Sequence, residues 1–373
     1  MKPRDRIAMI LAHEEPDRVG FMDADTWTET VERWRNEGMP MGIDGAWLNM
    51  EGIKFFGMDI YSVFAPPPGG SDQIVLEDSG DFQVIRNQWG GKTKIWKHRS
   101  GPKLHLEPAV KQPEDFENKV LPLLETGSAG VQPKLKQTIK EAREELFVTL
   151  NIVGIFELSI DLFGGLGPTL VHMQERPEFM SKVFMAISRY WARIADEYAD
   201  LVDALWVFDD LGSKDGPFFS PELYRRVVMP AHKRICSIFQ KRNLPILMHS
   251  DGCLNKFIPL FLECGFDAIH PIQAKAGMVL SSLKDEYGDR IVLFGGMDTD
   301  ILASGDPKSI KLEGALKIGQ AAPGGGYIAA CDGPIPPSVS LTSYKFFVKA
   351  LKRYGQYPIP RLTSHRAKIR SCS

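Results

Sequence analysis

The stretch that decides the fold is "LPILMHSDGCLNKFIPLFLECGFDAIHPIQ", residues 244–273. It opens on a short apolar run, Leu244 to Met248, bounded by turn-forming residues as a buried strand would be. His249, Ser250, Asp251 and Gly252 end the run with polar side chains and a turn glycine. The "NKFIPLFLEC" that follows has helical spacing and stops at Gly265, the residue type that closes helices. A second apolar run, "DAIHPIQ", then begins. Strand, helix and strand over about thirty residues is a βαβ unit. Strands that are apolar on both faces and alternate with helices belong to a parallel sheet.

The same alternation extends in both directions. From about residue 130 the expected strands are "FVTLNIVG" (147–154), "DALWVFDD" (203–210), "LPILMHSD" (244–251), "DAIHPIQ" (267–273), "IVLFGGMD" (291–298) and "GYIAACDG" (326–333). The segments between them carry helix signals. Ser220 precedes Pro221 as an N-cap before a first-turn proline, and Gly288 and Gly355 sit just past helix ends. Six βα units with room for two more upstream favour a closed (β/α)8 barrel. No glycine fingerprint for a dinucleotide follows any strand.

The first part of the chain reads differently. Residues 3–13 form an amphipathic helix with Ile7, Ile10 and Leu11 on one side, and 26–37 form a second. "FAPPPGG" (64–70) is a loop, and "GDFQVIRNQWGGKTKIWKH" (80–98) is a β-hairpin turning at Gly90 and Gly91. The expectation is an α/β chain: a distorted (β/α)8 TIM barrel with an N-terminal helical and β-hairpin extension. It would form one domain over 1–373, with helices and hairpin in 1–130, the main repeats in 131–357 and a tail in 358–373.

Composition narrows the function. The chain has 373 residues, 43% hydrophobic and 25% charged, with a net charge of −2. Its basic residues form no patch suited to neutralising phosphates, so nucleic acid is not an expected partner. No run of about 18 apolar residues is present, so no membrane span is expected. The N-terminus, "MKPRDRIAMILAHEEPDRVG", lacks the apolar core of a signal peptide, and the expected location is the cytoplasm. Cysteines stand at 236, 253, 264, 331 and 372 without a CxxC pair, which does not suggest a disulfide framework.

Active sites of barrels sit at the C-terminal ends of the strands. The strand ends here carry Asn151 with Glu157 beyond it, Asp209 and Asp210, His249 and Asp251, His270 and Gln273, Asp298, then Cys331 and Asp332. Each has a structural alternative. His249 could bond a loop, Asp251-Gly252 and Asp298 could be turns, Asp209-Asp210 could cap a helix, and Cys331 could simply be buried. Their convergence on one rim favours a site. His249 and Asp251 are two apart, so their side chains share a face. Zinc accepts imidazole, thiolate and carboxylate in a tetrahedral set and keeps one position open for catalysis. Cys331 could be a third ligand and Glu157 a fourth. Trp27, Trp47, Phe55 and Phe56 could wall a pocket or belong to the core.

These residues also carry a family likeness. "RDRIAMILAHEEPDRVGF", "WVFDDLGSKDGPFFSPELYRRVVMPAHKRI", "MHSDGCLNKFIPLFLECGFDAIHPIQAKAGM", "LKDEYGDRIVLFGGMDTDILASGDP" and "APGGGYIAACDGPIPPSV" resemble segments of the uroporphyrinogen decarboxylase superfamily, nearly end to end. The resemblance implies a distorted barrel with its cleft at the strand C-termini. True decarboxylases of this group grip their polyanionic substrate with paired arginines in an N-terminal loop. Here that region reads "FMDADTWTETVERWRNEG", without the pair. The chain is more similar to the branch of zinc-dependent methyltransferases that work with corrinoid proteins. Thiol-specific members there show a strand-end H-x-C and a later Cys. His249 matches the His, Asp251 stands where the first Cys is expected, and Cys331 or Asp332 matches the second.

From the strand-end chemistry and the resemblance together, His249, Cys331 and Glu157 are the expected metal ligands. Asp209, Asp210 and Asp251 are the expected catalytic groups, and His270, Gln273, Asp298 and Asn151 the substrate contacts. The resemblance implies zinc as cofactor, a corrinoid supplied by a partner protein, a small methylated donor such as a methoxylated aromatic, and a homodimer. Two alternatives stay open: a decarboxylase-like lyase acting on a tetrapyrrole or other carboxylated substrate, and a non-catalytic barrel that binds a corrinoid or tetrapyrrole.

Overall fold

A computed structural model describes residues 1–23, 25–43, 48–69, 73–101, 103–126 and 131–362. Eight strands run parallel in one sheet. They are β1 (Gly20–Phe21), β2 (Ile60–Phe64), β3 (Phe147–Val153), β4 (Ala204–Phe208), β5 (Ile246–His249), β6 (Ala268–His270), β7 (Val292–Phe294) and β8 (Tyr327–Ala329). Their order in the sheet is β1-β8-β7-β6-β5-β4-β3-β2. All six strands read from the sequence are present, and the two upstream are β1 and β2.

The open ends of the sheet meet at β1 and β2. The Asp59 N–H donates to the Phe21 carbonyl at 2.8 Å. The Asp59 carboxylate, wholly buried, accepts from the Phe21 N–H, from Arg6 Nη1, and from both terminal nitrogens of Arg18 at 2.7–2.8 Å. Four donors on one carboxylate satisfy its lone pairs, which makes burial of the charge tolerable. The sheet is therefore a nearly closed barrel.

Side chains alternate inward and outward along each strand. The inward set includes Ile60, Phe147, Ala204, Trp206, Leu247, Ala268, Val292, Phe294, Ile328 and Ala330, packed as one cluster with Ile7 and Ile10. The helix Pro3–Leu11 thus plugs the bottom of the barrel with its apolar face. The outward set packs on the surrounding helices as a second, larger cluster. The hairpin at Gly90–Gly91 pairs Phe82–Arg86 with Lys92–Trp96 and forms the middle of a four-stranded antiparallel sheet. That sheet follows β2 and precedes β3 in the chain.

Candidate metal centre

The sheet register sets the site. Phe208 of β4 and His270 of β6 are the Cα partners of His249 on β5, so all three project from the same face. The His249 ring stacks on Phe208, with centroids 4.5 Å apart and planes 29° apart. Its Nδ1 lies 2.7 Å from His270 Nδ1.

Beyond β4 and β5 the chain turns are laced together. The Asp209 N–H donates to the His249 carbonyl, the Asp251 N–H to Asp210 Oδ1, and the Leu211 N–H to Ser250 Oγ, all at 2.8–2.9 Å. The Gly252 N–H donates to Gln273 Oε1 at 2.8 Å. Gly252 has a φ of 100°, and a Cβ there would come within 2.6 Å of the Gly212 and Ser213 backbone. Only glycine fits.

This lacing gathers Asp210, His249 and Asp251, whose potential ligand atoms all lie within 4.8 Å of one another. His249 Nε2 is 3.6 Å from Asp210 Oδ1. Asp251 Oδ1 is buried and has no hydrogen-bond partner. A buried carboxylate oxygen without a donor is costly unless something else binds it. Burial pushes the Asp251 carboxyl up to about 6, with Asp210 and Asp332 adding to the rise and His249 opposing it. One imidazole nitrogen and two carboxylates around one point fit a divalent cation such as zinc.

The group opens on a cavity of about 170 Å³, also lined by Asp23, Asp25, Phe208, His270, Cys331, Gly333 and Pro334. Burial lifts the Asp25 carboxyl to about 6. Asp23 is lifted too, against hydrogen bonds from the Tyr344 hydroxyl and the Cys331 N–H. Burial drives the His270 imidazole well below its ordinary range. A larger recess, about 920 Å³, is lined by Arg4, Arg143 and Asp203 among others. There Arg4 and Arg143 both bond Asp203, so the recess holds structural bracing.

The residues expected from sequence fall into three sets. His249, Asp251 and Asp210 come together. Cys331 and His270 line the same cavity, but Cys331 is outside the ligand group. Burial, Asp23 and Asp332 hold its thiol well above the usual range, and so neutral. The rest serve elsewhere. Glu157 stands on the helix Ile155–Phe163, and burial plus Asp210 and Asp209 push its carboxyl up to about 8. The Glu157 N–H donates to Asp209 Oδ1, and Asp209 Oδ2 meets His232 Nε2 at 2.8 Å. Asn151 Oδ1 accepts from Thr149, and its Nδ2 is buried without a partner. Asp298 caps the helix Thr299–Ala303. Asp332 Oδ1 accepts from the N–H and hydroxyl of Thr299, while its Oδ2 has no partner. Phe56 packs on Trp34 and Tyr344, Trp27 and Phe55 are partly exposed, and Trp47 lies outside the described residues.

Sequence reading missed Asp23, Asp25, Phe208 and His232. The first two follow β1, whose two residues are too few to show a pattern. Phe208 was read only as strand core. His232 sits within a helix, where nothing local marks it.

A match to uroporphyrinogen decarboxylase (URO-D) spans residues 81–354. The chain belongs to the uroporphyrinogen decarboxylase family. Among solved structures, this URO-D chain is similar to a methyltransferase from Methanosarcina mazei. The two are 18% identical with a TM-score of 0.67, over 95% of this chain and 99% of the other. At that identity the likeness concerns the fold. A GH53 catalytic domain from Ignisphaera aggregans is 12% identical with a TM-score of 0.36, over 89% and 95% of the two chains. No curated protein matches the sequence. Among the described residues, no helix is long and apolar enough to cross a membrane.

Proposed function

We propose that this URO-D family member is a zinc-dependent methyltransferase. It takes a methyl group from a small methylated donor, such as a methoxylated aromatic, and passes it to a corrinoid carried by a partner protein. The observation that supports the reading best is the Asp210–His249–Asp251 group with its orphaned buried carboxylate oxygen. A zinc ion held by these three would supply Lewis acidity at the donor's heteroatom.

The chain's own residues do the rest. Asp210 is fixed by the Asp251 N–H, and His249 by Phe208 and His270, so the three need little reorganisation. Phe208 offers an apolar wall beside the metal group. The cavity, about 170 Å³, compares with the roughly 150 Å³ cavity that holds one benzene ring. Methyl transfer leaves the bonding pair on the donor heteroatom, where a bound zinc ion would offset the developing negative charge. A lining rich in carboxylates, with no Arg or Lys among the described lining residues, suits a polyanionic tetrapyrrole poorly.

Metal content tests the reading. Purified wild type should hold close to one zinc per chain, lost in His249→Ala and Asp251→Ala and retained in Cys331→Ala. Folded wild type that takes up no zinc would sink it. Zinc-loaded protein should then methylate a Co(I) corrinoid from a methoxyarene.

A further inference from the structure

We infer that His270 is a positioning residue for the metal centre. It accepts the Nδ1 proton of His249 and so aims the Nε2 lone pair of His249 at Asp210 and Asp251. The inference takes its functional meaning from the zinc reading above, but its structural content stands on the histidine pair alone.

The two Nδ1 atoms are 2.7 Å apart. At that distance one must carry a proton and the other a lone pair, since two N–H groups clash and two lone pairs repel. A neutral imidazole has one ring N–H. The side on which the shared proton sits therefore decides which nitrogen of His249 is free to bind an ion. If His249 donates, its Nε2 is a lone pair, and Nε2 is the atom 3.6 Å from Asp210 Oδ1. If His249 accepts, its Nε2 carries hydrogen and cannot ligate.

The ligand group favours the first arrangement. Asp251 Oδ1 is buried without a donor, and a cation shared by Asp210, His249 and Asp251 needs the Nε2 lone pair of His249. The His270 ring packs on Trp206, at 5.1 Å and 88°, and on Phe294, at 4.5 Å and 62°, which holds it in place. With Nδ1 as acceptor, the neutral His270 imidazole carries its proton on Nε2. The strand register, with His249 and His270 as Cα partners, holds the pair without help from a loop. Metal-bound histidines usually give their second N–H to a carboxylate or carbonyl. Here an imidazole takes that place.

The test uses two substitutions and one spectrum. His270→Asn keeps an acceptor near the Nδ1 position, and His270→Leu removes it while remaining apolar. In chelator competition, His270→Leu should bind zinc about 10- to 100-fold more weakly, the usual cost of losing such a partner. His270→Asn should stay within about threefold of wild type, a rescue that simple loss of packing would not show. ¹⁵N spectra of histidine-labelled wild type should show His249 protonated at Nδ1 and His270 at Nε2. Unchanged affinity in His270→Leu, or His249 protonated at Nε2, overturns the inference. If His270→Leu does not fold, the wild-type spectrum still decides. Wild type that binds no zinc defeats the zinc reading, and the spectrum then judges the pairing separately.

Discussion

Replacing His232 with Phe should cost the fold about 3–5 kcal/mol, the range for leaving a buried carboxylate without its partner. His232 and Asp209 are both wholly buried. The Tyr224 hydroxyl meets His232 Nδ1 at 2.8 Å, and His232 Nε2 meets Asp209 Oδ2 at 2.8 Å. Asp209 Oδ1 takes the Glu157 N–H at 2.8 Å. An ionised carboxylate only accepts, so the imidazole proton facing it sits on Nε2, and Nδ1 accepts from the tyrosine. Phe fills most of the imidazole's space, which keeps the cavity contribution small. What remains is electrostatic. Asp209 loses a charge-assisted bond worth about 1.5–3 kcal/mol, and the Tyr224 hydroxyl loses its acceptor at about 1–3 kcal/mol. Asp209 has little room to escape, since a Cβ on Gly154 would lie 2.1 Å from its Cγ. Asp209→Asn should cost less, under about 2 kcal/mol. The amide oxygen keeps the Glu157 N–H, its NH₂ faces Nε2, the imidazole proton moves to Nδ1, and Tyr224 becomes the acceptor. Urea unfolding measures both variants. Loss below about 1 kcal/mol in His232→Phe, or equal damage from Asp209→Asn, would refute the reasoning.

Two further outcomes follow from burial. Asp59→Ala should remove at least about 3 kcal/mol, because Arg6 and Arg18 lose the carboxylate that joins β1 to β2; a change under about 1 kcal/mol in the same assay would show that the seam does not depend on it. Glu157 should make the metal-free protein less stable as pH rises. Its carboxyl is raised from 4.5 to about 8, so between those values the folded chain keeps a proton that the unfolded chain has lost. The slope reaches at most about 1.4 kcal/mol per pH unit. Thermal midpoints from about pH 5 to 8 should fall more steeply for wild type than for Glu157→Gln; parallel profiles would contradict the burial argument.

The barrel was legible because six of its strands are apolar on both faces and alternate with helices. Ser220 caps its helix through the Leu223 N–H, and Gly265 closes another at φ 90°. β1 was not legible because it spans two residues, and β2 because it is buried at Ile60 and Val63 and open between. The site was legible as a rim and not as a contact set. His249 and Asp251 were readable from strand parity. That Asp210 joins them follows from β4 and β5 being neighbours, about 4.8 Å apart. Cys331 follows β8, three strands from β5 in the sheet, which is about 14 Å along it. Residue order alone gives no such distance, and a thiol is as plausible a ligand on paper as a carboxylate.

The dipeptide Asp209-Asp210 shows why identical residues at a strand end need not share a role. Strand alternation continues past Phe208, so Phe208 and Asp210 face the barrel mouth and Asp209 faces the helices outside. The inward aspartate meets His249 and the Asp251 N–H. The outward one is held by His232 and by the Glu157 N–H. Just before His232, the helix makes a widened π-turn at Tyr224–Val228, ahead of Pro230, which has no N–H to give the carbonyl four residues back. That turn carries Tyr224 onto the second nitrogen of His232. The outer aspartate thus ties the strand end to two helices, and its neighbour inherits the rigidity. On the proposed zinc reading, Asp210 is one peptide bond from such an anchor, so His232→Phe should weaken zinc binding in chelator competition; unchanged affinity would show that the anchor does not reach the site.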